Sequence, residues 1–511
     1  MLPTISLMKK AYLLTTIIVA AACIFASGRA TGAAIAVEAG GLRTAIAGNT
    51  DATELTITGT LNLADFEFLA LEMPQLRSLD LSGTRIAAFK GESSFTGRTS
   101  SAADVLPAYA LLGMKLENLA LPKEIKAIGE AALAGLEIKS LTIPTTVTSV
   151  GDNAFNSCTA LTSVSLPASV TAIGAGTFKG CTSLTDVQIA GMLDSIPSEA
   201  FAGCTKLKSV KLPATVKSIG SQAFNGCKAL QNFTVPPTVN SIGDLAFYGS
   251  GINNLDLTAC NSLKSLGKWS FAQCRHLAST KMPASLTTIG DGAFFNDAAM
   301  KLKSIPADMK SIPDFAFTTV DGSATMFNGT SVETIGKYSL ADWTGMQQLR
   351  LPSTLTSLDD GAMANWSDLK ELYVETIWEV PLLGADVWGN INKSNVKLLV
   401  ADENMKNAFL EAPQWQDFAV EVVSSDIDTS IEPAGADEPL KIRVDGTTIH
   451  ITAPRNIAGV QVYDIAGRSY TLPSSADGTT LSLDTSAWDS NVLIIRVILV
   501  DGTASAVKLH R

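Results

Sequence analysis

A unit of 23 residues recurs from about residue 116 to about residue 376, and its phasing constrains the fold more than any single residue does. The clearest copy is Leu161 to Cys181, LTSVSLPASVTAIGAGTFKGC. Its phenylalanine returns at Phe155, Phe178, Phe201, Phe224, Phe247, Phe271, Phe294 and Phe317, in steps of 23 with a single step of 24. Leu340 and Met363 fill the same slot twice more. Free insertions would destroy such phasing, so the chain must stack equivalent coils. Stacks of this kind display long open surfaces and few closed pockets.

Within one coil, Val164 and Leu166 are two residues apart and point to one face of a strand. Pro167 follows, and without an N–H to donate it ends the strand. Val170 and Ile173 continue the apolar lining at the wider spacing of a turn or short helix. Gly174 is expected to supply a bend, Phe178 to fill the interior, and Gly180 and Cys181 to close the coil before Leu184 opens the next. A period of about 20–29 residues with L-x-x-L-x-L spacing marks a leucine-rich-repeat solenoid. The expected class is therefore an α/β solenoid with short parallel strands about 4.8 Å apart and a continuous phenylalanine spine.

The full pattern, L-x-x-L-x-L-P-x-x-V-x-x-I-G-x-x-A-F-x-G-C, resembles the BspA-like leucine-rich repeats of bacterial surface proteins. The resemblance spans roughly half of the chain and implies adhesion to host matrix proteins or to other cells. Some units drift: Leu133, Leu340 and Met363 replace Phe, and Lys301 to Phe317 is irregular, with Pro306 and Pro313 close together.

Outside the array, Met8-Lys9-Lys10 followed by the apolar run Ala11 to Phe25 reads as a secretory signal peptide. Its cleavage is expected between Ala26 and Ala36, which makes residues 1–36 the leader, and Met8 is the better start. Lipoprotein processing at Cys23 is the alternative, but Ala20-Ala21-Ala22-Cys23 lacks the usual bulky residue. Residues 37–115 are expected to form an N-terminal cap with irregular first repeats, residues 116–376 the array and residues 377–423 a C-terminal cap. That second cap reads as a strand at Lys397 to Val400, a helix at Met405 to Leu410 and a closing strand at Trp415 to Phe418.

An acidic segment with Pro and Gly, residues 424–439, reads as a linker. Residues 440–511 carry β-branched runs separated by Asp445-Gly446, Asp477-Gly478 and Asp501-Gly502, as expected of a small β-sandwich. This block resembles the type A C-terminal sorting domain of the type IX secretion system. The motif is Val462-Tyr463-Asp464-Ile465-Ala466-Gly467-Arg468, and Tyr463, Asp464, Gly467 and Arg468 carry it. A second family motif is degraded at Asn491 and Leu493, and an Ig-like accessory domain is the other reading. The resemblance implies export by that secretion machinery, to the outer-membrane surface or the medium.

A net charge of −11 argues against a nucleic-acid partner, which favours a basic stripe. After the leader no run is long and apolar enough to span a membrane, so no transmembrane span is expected in the mature chain. Cys158, Cys181, Cys204 and Cys227 are each 23 apart and Cys274 shares their slot, with Ser250 between. In-register side chains suit a disulfide torsion poorly, which leaves a ladder of small buried thiols as the first reading and a metal site as the second. The three histidines, His276, His450 and His510, have no nucleophile or orienting acid nearby in sequence. Asp359-Asp360 reads as a solvated turn. No P-loop or nucleophile elbow occurs, so no enzyme activity and no cofactor is expected.

The strand face remains. Residues flanking the apolar fourth position of L-x-x-L-x-L project outward, and the candidate ligand face is Asp186, Gln188, Lys211, Asn232, Asn254, Asp256, Lys281, Gln348, Arg350, Glu371 and Tyr373. Binding hot spots favour Trp, Tyr and Arg, so Arg350 and Tyr373 stand out, with Trp343, Trp366 and Trp378 as possible neighbours or as core. The function expected is non-catalytic binding of host or bacterial surface proteins or glycans. A structural or self-assembling envelope component is the alternative, and glycan or peptide capture for nutrient uptake the weaker one.

Overall fold

The computed structural model describes residues 34–91, 100–374, 379–423, 441–445, 447–453, 456–464, 469–470, 478–486, 488, 492–500 and 504–510. Residues 1–33 of the expected leader, including Cys23, together with the linker, Trp378, Gly467 and Arg468 lie outside the described residues, whereas Ile35–Val37 pairs in parallel with Ile57 to Gly59.

Most coils contribute a strand to each of two parallel stacks. The L-x-x-L-x-L segments form one, in which Ser163–Leu166, Asp186–Ile189 and Ser209–Lys211 pair at a 23-residue register. Short two-residue strands such as Ser195–Ile196, Ser218–Ile219 and Ser241–Ile242 form the other. This corrects the expected α/β class. Among the described residues the helices are Leu42–Ile46, Leu63–Glu72, a single 3-10 turn Lys393–Asn395 and Glu403–Glu411, none within the 23-residue coils. The segment from Val170 to Ile173 is too short for a costly helical nucleus, and Ala172–Ile173 pairs with Ser149–Val150 of the preceding coil instead.

Phe155, Phe178, Phe201, Phe224, Phe247, Phe271, Phe294 and Phe317 are all buried. Their rings stack coil on coil at centroid separations of 5.0–5.5 Å. One apolar core runs from Val37 to Phe418.

Gly174 is not there for a bend. A Cβ at Gly174 would sit 2.3 Å from the backbone nitrogen of Asp152 in the preceding coil, and one at Gly151 2.7 Å from that of Glu130. The glycine of the Ile-Gly step therefore sets how closely coils approach. The residue after it contributes as well: Asp152 Oδ1 accepts from Ala175 N–H and Asp244 Oδ1 from Lys268 N–H, both at 2.8 Å.

The cysteine slot forms an inner ladder. Thiols of Cys181, Cys204 and Cys227 donate to the carbonyls of Phe155, Phe178 and Phe201 at 3.1–3.2 Å. All six described cysteines are free and buried. Burial pushes the Cys158 thiol up to about 12 and raises Cys181 and Cys204 as well. Trp343 and Trp366 fill the same slot further on, and their indole N–H groups donate to the carbonyls of Phe317 and Leu340 at 2.7 and 2.5 Å.

At the N-terminal end, Glu54–Leu61 and Ser78–Ile86 pair with Leu55 against Leu79. The helix Leu63–Glu72 opens with a reciprocal cap between Asn62 and Asp65. The buried Asp65 carboxylate also accepts from Gly40 and Leu42 N–H at 2.8 and 2.9 Å, tying the first turn to the helix. At the other end, Lys397–Val400 precedes Glu403–Glu411, which Asp402 caps through Met405 N–H. The closing strand is Ala419–Val422, not Trp415 to Phe418, because both of those aromatic side chains are buried in the turn before it.

Residues 441–510 carry antiparallel strands, among them Lys441–Asp445 with Thr448–Thr452 and Ile457–Asp464 with Val492–Leu499. Ile442, Ile449, Ile451, Val462, Leu493 and Ile495 pack into a separate apolar cluster. Tyr463 and Asp464 end the strand Ile457–Asp464.

Candidate ligand-binding face

On the first sheet, Val164, Val187 and Val210 point inward, so Ser163, Ser165, Gln188, Ser209 and Lys211 are left facing solvent, with Asp186 half-buried. The alternation of the strand divides them this way. The structure sorts the sequence-predicted residues into three patches.

In the first patch, Asp186 pairs with Ser209 and Gln188 with Lys211. Ser209 Oγ donates to Asp186 Oδ1 at 3.2 Å. Asp186 and Gln188 line a shallow concavity of about 220 Å³ together with Ser140, Thr142, Ser163 and Ser165 and the intervening Leu141 and Val164. Short hydroxyl side chains hollow the sheet surface here, and longer polar ones bound it.

Asn232 stands apart. Its segment forms no strand, because Phe233 turns inward and packs against Phe224 and Phe247 at 5.1 and 5.0 Å. That bulk interrupts the sheet between Ser209–Lys211 and Asn254–Asp256.

The second patch pairs Asn254 with Ser279 and Asp256 with Lys281. Thr258 and the Lys281 ammonium, 3.2 Å from Oδ2, hold the Asp256 carboxyl below its ordinary range. Exposed pairs of this kind contribute little to stability.

The third patch is the most complete. Gln348 pairs with Glu371, Arg350 with Tyr373, and Tyr373 with Leu399 on neighbouring strands. Arg350 lies over the Tyr373 ring at 5.4 Å, Tyr373 Oη donates to Glu371 Oε2 at 3.1 Å, and Gln348 Nε2 donates to the same oxygen at 2.7 Å. Partial burial and the neighbouring Glu371 raise the Tyr373 phenol, against the opposing Arg350 charge. Leu399, beside Tyr373 on the next strand, is 9% exposed, and Lys397 meets Glu421 at 3.1 Å. Tyrosine, leucine, an arginine plane and fixed charges are therefore held on adjacent strands.

Sequence reasoning brought Arg350 and Tyr373 together but missed Leu399, whose strand was read as part of the cap. Trp343 and Trp366 do not join the patch: both are buried in the inner ladder. Their 23-residue spacing from each other, in the cysteine slot, was the signal for this. Among the described residues no group of three or more His, Cys, Asp or Glu side chains could hold a metal ion, and no helix is long and apolar enough to cross a membrane.

The model of the BspA type leucine-rich repeat region matches in six copies, over residues 104–214, 194–323 and 287–381, which is more than half of the 511 residues. The chain belongs to this family. Among solved structures, a leucine-rich repeat protein from Bacteroides ovatus is 21% identical, covers 72% of this chain and 88% of its own, and superposes with a TM-score of 0.54. It shows the same fold. A leucine-rich cell surface protein from Faecalibacterium prausnitzii is 22% identical over 56% of this chain and 86% of its own, with a TM-score of 0.30. The pneumococcal vaccine antigen PcpA is 16% identical over 73% of this chain and 83% of its own, also at 0.30. No curated protein matches the chain significantly.

Proposed function

We propose that this BspA-type protein is exported to the bacterial surface or released, and binds protein or glycan ligands without catalysis through the outward face of its first sheet. The carrying observation is the patch of Arg350, Tyr373 and Leu399, framed by Gln348, Glu371 and Lys397. A ring under an arginine plane, beside an aliphatic side chain and ringed by polar groups, is the composition of a binding hot spot. The hydroxyl-lined concavity beside Asp186 and Gln188 extends the same face toward the other end of the array.

In this reading residues 1–36 are a leader, residues 37–115 and 377–423 cap the array of residues 116–376, and residues 424–439 link it to a sandwich at 440–511. That last block addresses the chain to the type IX secretion machinery through Tyr463, Asp464, Gly467 and Arg468. The antiparallel strands of residues 441–510 and their separate core support that part of the reading. The experiment is a panel of host matrix proteins and surface glycans presented to the purified chain and to Arg350→Ala/Tyr373→Ala. Saturable binding that the double variant weakens by roughly tenfold or more is expected. Equal binding by both proteins would remove the patch from the account.

A further inference from the structure

The turn after the second strand carries a surface that the binding face does not use. Each coil there places two residues in left-handed backbone, at the slots of Gly176 and Gly180. Early coils fill these slots with Asn153, Glu199 and Gln222, and with Gly203, Gly226 and Gly249. Later coils put Trp269, Phe315 and Tyr338 in the first slot, at φ of 55°, 59° and 50°. Bulky side chains are strained in that region. Tyr109 and Leu245 also occupy this slot, but the coils of Ala131, Asn153, Gly176, Glu199 and Gln222 stack without a bulky residue there, so stacking does not require one.

Glycine fills the slot between Trp269 and Phe315 and the slot after Tyr338. The Trp269 ring lies across Gly292, where a Cβ would come within 2.4 Å of it, and the Tyr338 ring lies across Gly361, within 2.2 Å. Trp269 faces Phe315 at 6.3 Å, Phe315 faces Tyr338 at 5.7 Å, and Phe295 stands edge-on to Trp269 at 5.3 Å. All four stay partly exposed, Tyr338 at 44%.

Polar rows flank this stripe. In the second slot Asn296 Nδ2 donates to Gln273 Oε1 at 3.0 Å, and Asn365 Nδ2 to Asp342 Oδ1 at 2.6 Å. In the position preceding the aromatic slot stand Asp244, Lys268, Asp291, Asp314, Lys337 and Asp360, with both lysines paired to aspartates. Carboxylates outnumber ammonium groups, which disfavours a polyanion. Amides and carboxylates beside ring edges meet alternating hydroxyl and C–H surfaces.

We propose that the stripe from Trp269 to Gly361 is a second binding surface, on the turn side of the array, for a neutral polyhydroxylated chain, that is, a polysaccharide. Affinity electrophoresis of the full chain in gels containing mannan, laminarin or soluble starch tests this, with dextran sulfate as the anionic comparison. At least one neutral polymer should retard the protein, and dextran sulfate should not. Trp269→Ala/Tyr338→Ala should weaken the interaction by roughly tenfold or more, and Trp269→Phe/Tyr338→Phe should retain most of it. Asn296→Ala, which leaves the rings in place, should weaken it several-fold and guards against misfolding of the double alanine variant. Arg350→Ala/Tyr373→Ala should change nothing, so failure of this surface and failure of the strand face are distinguishable. No retardation by any neutral polymer, an unaffected Asn296→Ala variant, or loss only in the strand-face variant would overturn the proposal.

Discussion

Asp297 occupies the cysteine slot of its coil, and replacing it should stabilise the protein in a pH-dependent way. Every donor in that slot, thiol or indole, gives a hydrogen to a carbonyl of the preceding coil. An ionised carboxylate has none to give. Asp297 is 0% exposed, and neither carboxyl oxygen has a hydrogen-bond partner. Burial holds its carboxyl well above the usual carboxylate range. The titratable group beside it is the Cys274 thiol of the preceding coil, itself raised by burial and by Asp297, and Val320 fills the slot on the following coil. The folded-state pKa is raised, so the folded chain holds this proton more tightly than the unfolded chain. The contribution is therefore fully present below the unfolded value of about 3.9 and is lost as pH rises, at up to about 1.4 kcal/mol per unit, until the folded value is passed. A buried unsatisfied polar group costs about 1–3 kcal/mol, and more if charged. Asp297→Cys, which restores the repeat, should thus gain about 2 kcal/mol or more at pH 7 and shrink to within about 1 kcal/mol near pH 4. Urea unfolding of both proteins by circular dichroism from pH 4 to pH 8 measures the difference, and the other carboxylates cancel in it. A difference that does not change with pH, or a variant less stable at pH 7, would refute the reasoning.

Three further outcomes follow from the inner ladders. Phe224→Ala removes a ring stacked between two others and flanked by Phe233, and should cost about 3–5 kcal/mol in the same unfolding assay. Gly174→Ala drives a Cβ to 2.3 Å from the Asp152 nitrogen and should destabilise more than Gly203→Ala, where the nearest contact is 3.7 Å and only the φ of 75° opposes the change. Trp343→Phe leaves the Phe317 carbonyl without its indole donor and should lose about 1–3 kcal/mol; a neutral result would remove the hydrogen bond from the account.

The period made much of this legible. Phe155 to Phe317 recur because each ring needs the next above it, and a regular spacing is all that such packing leaves in a sequence. Helix or strand after Pro167 was not legible. Ala172–Ile173 is too short to carry a periodicity, and its pairing depends on Ser149–Val150 in another coil. The role of Gly174 was misread for the same reason, since the atom it makes room for belongs to Asp152, 22 residues earlier. The binding face divides similarly. Alternation placed Arg350 and Tyr373 outward, but Leu399 joins them only through the pairing of its strand with Glu371–Val374. The aromatic stripe was hidden because Trp269, Phe315 and Tyr338 sit in a slot that early coils fill with Asn153, Glu199 and Gln222.

Hydrogen exchange of the full chain, read by mass spectrometry with and without a panel ligand that binds saturably, tests the central claim most directly. Added protection is expected over Gln348–Leu351, Glu371–Val374 and Lys397–Val400, and should disappear in Arg350→Ala/Tyr373→Ala. Protection confined to other coils, or unchanged in the double variant, would contradict the strand face as the surface this protein presents to its ligands.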